Sequence, residues 1–444
     1  MLTRTILRGR PPKTLGIAGV TAIIALGCDC VAGTGCGWMM GMGQLLKMVN
    51  PVQNYAWGTR DTLARLRGEN KPASEPEAEL WVGAHAKAPS SVLTAGGTKS
   101  LADWVDEDPE TVLPEGTSGF PFLFKILAID SPLSLQVHPS EQQAVEGFEK
   151  ENRAGIALGA NERNYKDDRS KPETVIAYSP VRLLTGIRPA AELKRIAKEL
   201  NLTWLAELAD YDAAEIIKAI FAKDETSSAL ALDATVNAAM DWSLAHPFDE
   251  DDAAYRRDRE GFDLDAVADL ILLLHDAYPG DRGTLVAVAM NQLFLKPGES
   301  AHTPHGQVHA YLQGTAIEIM NPSDNVMRAG LTPKHIDIKE LLSVVVADQP
   351  APDLVLPAEQ QPGVARYGLW DSHMHVDHVA VSPDTPVEYT CDGLSAILCV
   401  EGDVEVAGAG ERIDLRGTES ALHIGSRDVL TLSGNGQVYT AVRT

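Results

Sequence analysis

The sequence predicts a mainly β protein interrupted by one block of α-helices, and three observations carry that reading. PFLFKILAIDSPLSLQVHPS (121–140) and TLVAVAMNQLFLKPGES (284–300) are short apolar runs bounded by Gly, Pro, Asp and Ser, as strands are. Between them, from 189 to about 284, AAELKRIAKEL, LAELADYDAAEIIKAIFAKD and FDLDAVADLILLLHDAY repeat their apolar positions at helical spacing. From about 350 to 444, segments such as LSAILCVEGDVEVAGAGERIDL return to short β-rich stretches between Gly and Asp turns.

The 444 residues are 44% hydrophobic and 23% charged, a globular composition. With 38 basic against 62 acidic residues the net charge is −24, so a nucleic-acid backbone would be repelled over most of the surface. A small phosphorylated ligand in a locally basic pocket is not excluded. Five cysteines in a chain of this length are no disulfide framework. Cys391 and Cys399 fall in β-structure, where buried free thiols are expected.

Residues 1–47 differ from the rest. Arg4, Arg8, Arg10 and Lys13 precede TLGIAGVTAIIALG, a basic stretch and apolar run as in a signal peptide, too short and Gly-interrupted to span a membrane. The reading taken is an atypical leader ahead of a cytoplasmic protein that starts near Met42 or Met48. Cys28, Cys30 and Cys36 are then chance neighbours. The acidic run FDEDDAAYRRDRE (248–260) reads as a solvated loop or helix face. His85, His246 and His275 are expected to be structural, as are His373, His375 and His378 of HMHVDH, which have no carboxylate pattern around them.

Chemistry concentrates in two places. Along LSLQVHP, Ser134, Gln136 and His138 alternate with Leu133, Leu135 and Val137, so one strand face is polar and the other aliphatic. A polar triplet on an otherwise apolar strand requires partners, and a metal ion supplies them. Downstream, KPE (171–173) puts Lys171 and the candidate ligand Glu173 at the head of a strand from Thr174 to Tyr178. The second place is GESAHTPHGQVHAYLQGTAIEIMNPSDNVMRAGLTPK (298–334), with His302, His305, His309, Glu318, Asp324, Arg328 and Lys334. Its Gly298, Pro304, Gly306 and His309 read G-x5-P-x-G-x2-H, which resembles the second motif of the cupin β-barrels. KHIDIKELLSVV (334–345) is a short helix.

Together, QNYAWG (53–58), ELWVGAHAKAPS (79–90), FLFKIL (122–127), SLQVHP, KPE, VHAYL (308–312) and SDNVMRAGLTPK (323–334) resemble type I mannose-6-phosphate isomerases, from residue 49 to the C-terminus. The resemblance implies two cupin-type (jelly-roll) β-barrels with an inserted α-helical domain. The catalytic cupin domain would be 48–188 and 285–345, the helical domain 189–284, and a C-terminal cupin-like domain without metal ligands 346–444. It implies one Zn2+ per chain on Gln136, His138, Glu173 and His309, and so selects His309 over His302 and His305.

The implied reaction interconverts mannose 6-phosphate and fructose 6-phosphate through a cis-enediol, feeding mannose catabolism or GDP-mannose synthesis. Arg328, Lys171, Glu318 and Asp324 fall in catalytic positions, and Trp57, Ser134 and Lys334 in substrate-binding ones. Glu318, or Asp324 with Lys171, would move the proton; Asp324 and Arg328 also read as a mutual ion pair shaping their loop. Ser170 stands where some family members have His before the lysine, so no scheme using that His as base operates here. The expected partner is a sugar phosphate, with no nucleic acid and no membrane for a monomeric core. Two alternatives stay open: a cupin isomerase for another sugar phosphate, and a non-catalytic metal- or sugar-binding cupin.

Overall fold

The computed structural model describes residues 43–246, 263–352, 354–425 and 427–444, so the N-terminal cysteines and the acidic run at 248–260 lie outside the described residues. Among these, the strands form a ten-stranded and an eleven-stranded sheet. In both, the pairing is antiparallel.

The ten-stranded sheet runs Met290–Leu295, Val181–Ile187, His309–Met320, Leu123–Ile129, Glu79–Val82, Val52–Gln53. Glu173–Ala177 pairs both Ser300–Thr303 and His309–Met320, while the two-residue strands Gln136–Val137 and Met327–Arg328 pair each other. The long strand His309–Met320 changes partners half-way. His309 to Gln313 face Val181–Ile187, whereas Gly314 to Met320 face Leu123–Ile129 and Glu173–Ala177. The register slips between Tyr311 and Gln313, leaving Leu312 as an extra residue. Such a bulge reverses which side chains face which way. Accordingly Ala310 and Leu312 pack on one apolar cluster before it and Ile317 and Ile319 on another after it, while Tyr311 and Ala316 share a third. Gly314 follows directly, at φ +118°; a Cβ there would meet the Pro180 carbonyl at 2.3 Å.

The helices Ala190–Glu199, Thr203–Leu208, Ala213–Phe221, Glu225–Ala245 and Leu264–Ala277 lie between Val181–Ile187 and Met290–Leu295, two strands paired with each other. Carboxylates fix the starts of the last three: Asp212 caps Glu215 N in a reciprocal capping box, Asp224 caps Ser227 N and Asp263 caps Asp265 N. Leu193, Ile196, Ile216, Ile217, Val267 and Ile271 pack with Leu135, Val137, Met327 and Ala329, behind the two short strands. TLVAVAM, expected to be β-structure from 284, instead opens with the helix Gly283–Val288, and the strand starts at Met290. All six helix residues are buried, so the apolar run had no polar face to give it a helical period. The packing is close: a Cβ on Gly330 would lie 2.3 Å from Gly283 Cα, and Asp281 accepts from both Gly283 N and Thr332 N.

The eleven-stranded sheet is ordered Ala358–Gln361, Val364–Gly368, Met374–Val381, Asp428–Arg443, Leu394–Gly408, Ser420–Ile424, Gln44–Val49, Ser91–Thr94, Gly97–Ser100. Its last three strands come from the N-terminal part of the chain. The first of them opens at Gln44, inside the stretch read as leader.

Cys391 and Cys399 are buried free thiols. The HMHVDH histidines serve this sheet: His375 lies 3.4 Å from Asp377, and His378 bonds Gln437 Oε1 and stacks on Tyr439. Asp377 is fully buried and accepts two bonds from Arg366, at 2.8 and 2.9 Å, and one from the Tyr389 hydroxyl at 2.9 Å. Burial opposes its charge, but Arg366 and then His375 hold the carboxyl down, from 3.8 to about 2. A lowered folded value gives stabilisation that is complete above about pH 4 and lost as the pH falls through 2. Asp377→Asn is therefore expected to lower stability by about 2 kcal/mol above pH 5 and to flatten the decline of melting temperature between pH 4 and 2. Parallel pH curves for the two proteins would contradict this assignment.

Candidate active site

His138 follows the strand Gln136–Val137, Glu173 opens Glu173–Ala177 and His309 opens His309–Met320. These strand ends converge, and the ligand atoms of the buried His138, Glu173 and His309 lie within 4.8 Å of one another, the single such group of His, Cys, Asp and Glu among the described residues. His138 Nδ1 donates to the Asn325 carbonyl at 2.8 Å and His309 Nδ1 to the Gln307 carbonyl at 3.1 Å. Each ring thereby turns its Nε2 to Glu173, at 3.4 Å from His138 and 3.1 Å from His309, the edge a neutral imidazole offers to a metal.

Lone pairs facing a carboxylate repel unless a cation lies between them. His138 Nε2 has no hydrogen-bond partner, and burial, helped by the Lys171 charge, pushes the ring down to about 4, so a proton is not the filling at neutral pH. Burial opposes the Glu173 charge too, yet Lys171, with Nζ at 2.9 Å, and His138 keep this carboxyl well below the usual range. Two neutral imidazoles and one carboxylate are zinc donors. Gln136 is the cross-strand partner of His309, so its amide oxygen is at hand as a fourth.

Gln136, Glu173 and His309 line a cavity of about 90 Å3 together with Lys171, Glu318, Lys125, Glu79 and Tyr311, and His138 stands against it through Glu173. Glu318 pairs across the strands with Lys125, whose Nζ lies 2.9 Å from it and 3.4 Å from Glu79. Burial, opposed by Lys125, raises the Glu318 carboxyl above its ordinary value. Lys125 is held protonated, since Glu318 and Glu79 outweigh its burial. The bulge brings His309 and Glu318, nine positions apart and so of opposite parity, to the same cavity.

The remaining expected residues divide. Arg328 is half-buried directly across from Gln136. Exposed Lys334 has its ammonium lowered by partial desolvation and then by the charges of Arg328 and Lys87, which marks a cluster of cations there. Ser134 is held between Leu133 N, which donates to the Tyr311 carbonyl, and Leu135 N, which donates to that of Gly330. Trp57 packs with Leu133 on the apolar cluster of Leu127, Val175 and Ala316, rather than on the cavity wall. Asp324 also stays outside the metal cavity: half exposed, it lies 3.5 Å from His85 and lines a separate cavity of about 530 Å3 with Lys166 and Arg169. The ion pair expected with Arg328 does not form, because Asp167 accepts from Asp324 N at 2.8 Å and turns it toward His85. Ser170 bonds Glu141 and stays clear of the metal donors.

Residues 45–190 match the family described as phosphomannose isomerase type I, catalytic domain. The mannose-6-phosphate isomerase of Escherichia coli (strain K12) is 36% identical over 414 residues, covering 88% of this chain and 98% of that protein. The chain belongs to the type I phosphomannose isomerases. The family reaches the human mannose-6-phosphate isomerase, 29% identical over 83% of this chain and 94% of that one. Among solved members, the Salmonella typhimurium enzyme bound to substrate and zinc superposes with a TM-score of 0.76 at 30% identity, over 90% of this chain and 99% of that one.

Four residues of the site, three on the cavity wall and one behind His138, escaped the sequence reading. Lys125 stands alone in FLFKILAI, where period two puts it on the face of Leu127 and Ile129; that alternation was the available signal. Glu79 and Tyr311 sit in apolar strands in the same way. Asn325 is the fourth. Fully buried, it accepts from Lys166 N and Asp167 N, donates to the Asp167 and Arg169 carbonyls, and offers its own carbonyl to His138. Asn325→Ala should free this loop and loosen His138, with metal affinity falling about 10–100-fold, as for other residues that orient a ligand. Competition with a chromophoric chelator measures it, and an unchanged affinity would show that His138 is oriented without Asn325.

Proposed function

We propose that this phosphomannose isomerase is a zinc-dependent aldose–ketose isomerase that interconverts mannose 6-phosphate and fructose 6-phosphate through a cis-enediol, in mannose catabolism or GDP-mannose synthesis. The observation that carries the reading is one cluster: His138, Glu173 and His309 converge, and the last two line a cavity with a further carboxylate, Glu318, and two ammoniums. A pure binding site has no use for a spare buried carboxylate of raised basicity. One Zn2+ would be held by Gln136, His138, Glu173 and His309, and when bound it supplies Lewis acidity toward the sugar oxygens.

The protein groups account for the rest. Glu318 takes the proton from C2 and returns it to C1, while the O2 hydroxyl proton passes to O1, so that aldehyde and alcohol exchange places with no net gain or loss. What supports Glu318 over Asp324 is its place on the cavity wall with Lys171 and His309. The raised basicity that burial gives its carboxylate suits it to lift a carbon-bound proton. Lys171, already against Glu173, keeps an ammonium beside the developing charge. A cavity of about 90 Å3 admits the C1–C2 end of the sugar and no more. The phosphate then lies outside, where Arg328 and Lys334, with Lys87 and Ser134, offer cationic and hydroxyl contacts. Trp57 supports the floor.

The same reading takes the two sheets as cupin-type barrels, with a catalytic domain at 48–188 and 285–345, a helical domain at 189–284 and a cupin-like domain at 346–444. Supporting it, the helices leave and re-enter the ten-stranded sheet on adjacent strands.

Incubation of the purified protein with mannose 6-phosphate is expected to yield fructose 6-phosphate, a chelator to abolish the activity and zinc to restore it. Absence of chelator-sensitive product would overturn the proposal. Glu318→Gln should lower kcat by about 10²–10⁴-fold while zinc is retained. Near-normal turnover in that variant would exclude Glu318 as the base.

A further inference from the structure

Tyr311 occupies the cavity without a function in the scheme above. Its side chain is 4% exposed and its hydroxyl, buried, has no hydrogen-bond partner. Glu318 and Glu173 share the cavity with it, yet neither carboxylate meets it in hydrogen-bond geometry. Burying an unpaired hydroxyl costs about 1–3 kcal/mol, and a phenylalanine would fill the same floor without that cost. The ring does serve the floor: it packs with Leu127, Leu183 and Ala316, and its centroid lies 6.1 Å from that of His309. Only the oxygen is unexplained.

The charged donors in the cavity are committed, and the Gln136 amide is assigned to the metal in the reading above. Lys171 is held by Glu173 at 2.9 Å and Lys125 by Glu318, also at 2.9 Å. Both Nδ1 atoms of the histidines donate to backbone carbonyls. A sugar entering this space brings two oxygens, on C1 and C2, that carry the charge of the enediol stage. Carboxylates on the wall repel that charge, and Tyr311 is the one neutral hydroxyl among the lining side chains.

We infer that the Tyr311 hydroxyl is a catalytic hydrogen-bond donor to the substrate oxygen on C1 or C2, idle until the sugar arrives and strongest as charge builds on that oxygen. The inference rests on the isomerase reading. No proton is transferred: the O–H bond persists and the donor stabilises the oxyanion, as neutral donors do in other enzymes that form one. The unpaired hydroxyl is thus a local loss of stability that the substrate removes.

Tyr311→Phe tests it in the zinc-loaded full chain, with turnover of mannose 6-phosphate, zinc content, melting temperature and the isotope effect from substrate deuterated at C2. The expected result is a kcat lower by about 10²-fold with KM changed much less. Zinc stoichiometry stays unchanged, the melting temperature is equal or higher, and the isotope effect grows because proton abstraction now limits turnover. A merely structural hydroxyl would move the melting temperature down and leave the isotope effect alone, and that outcome overturns the inference, as does a kcat within about twofold of the parent. Loss of zinc in the variant would reassign the hydroxyl to the metal and overturn it as well. A parent protein without turnover would remove the isomerase reading and this inference together; an active parent with an equally active variant removes this inference alone.

Discussion

The site depends on one irregularity, the extra residue at Leu312 in the strand His309–Met320. A regular strand presents alternate residues to one face, so a metal ligand at 309 and a carboxylate at 318 would point to opposite sides of the sheet. The bulge shifts the parity, and Gly314, in a conformation that L side chains rarely adopt, follows it past the Pro180 carbonyl. One continuous strand thereby supplies His309 and Tyr311 from its first half and Glu318 from its second. Its neighbours then add Lys125 and Glu173 in register, since Glu318 lies across from Lys125 and Met320 from Glu173. Below these polar residues the same face continues as Leu127, Val175, Ala177 and Ala316. A polar layer over an apolar floor follows from a single backbone register.

That polar layer is tolerable only as a set. Glu79, Glu173 and Glu318 are buried with Lys125 and Lys171, three carboxylates against two ammoniums. Isolated, each would face a desolvation penalty of several kcal/mol. Paired as they are, the group is left with one excess negative charge, next to two imidazole lone pairs. A divalent cation turns that deficit into a single positive charge, which suits an anionic substrate. The same arithmetic explains why Glu173 stays ionised while Glu318, facing Glu173 and Glu79, is the more basic carboxylate.

Much of this was legible in the residues. The alternation puts Leu135 and Val137 in the core as read, but Leu133 lines the cavity beside Gln136, because only Gln136 and Val137 pair as β-structure and the alternation does not extend back to 133. The helical periods in AAELKRIAKEL and DAAEIIKAIF correspond to the helices Ala190–Glu199 and Ala213–Phe221 because each has a polar face to set against its apolar one. The helix Gly283–Val288 lacks that face and read as a strand. The expected Asp324–Arg328 ion pair was not legible, because side-chain direction in an irregular loop follows from a distant partner, Asp167, that the local residues do not encode. Lys125 was hidden because a lone charge in an apolar run carries no period of its own. In the HMHVDH cluster His375 lies against a carboxylate after all, Asp377, but His378 is taken by Gln437, so the two histidines do not share a ligand.

The strand Gln44–Val49 has its longest pairing with Ser420–Ile424, Gln44 opposite Ile424, a separation of 424 − 44 = 380 positions. A ribosome adding about 5–20 residues per second needs roughly 20–80 s to deliver the second strand after the first. For that interval the strand has an unsatisfied edge, and Ser91–Thr94, its other neighbour, leaves the sheet ending on it. The closing of this sheet is therefore a late, non-local step in biogenesis, slow by topology rather than by sequence. Truncation near the C-terminus would strand residues at the opposite end of the chain and expose an aggregation-prone edge, even with every group of the metal cavity already translated.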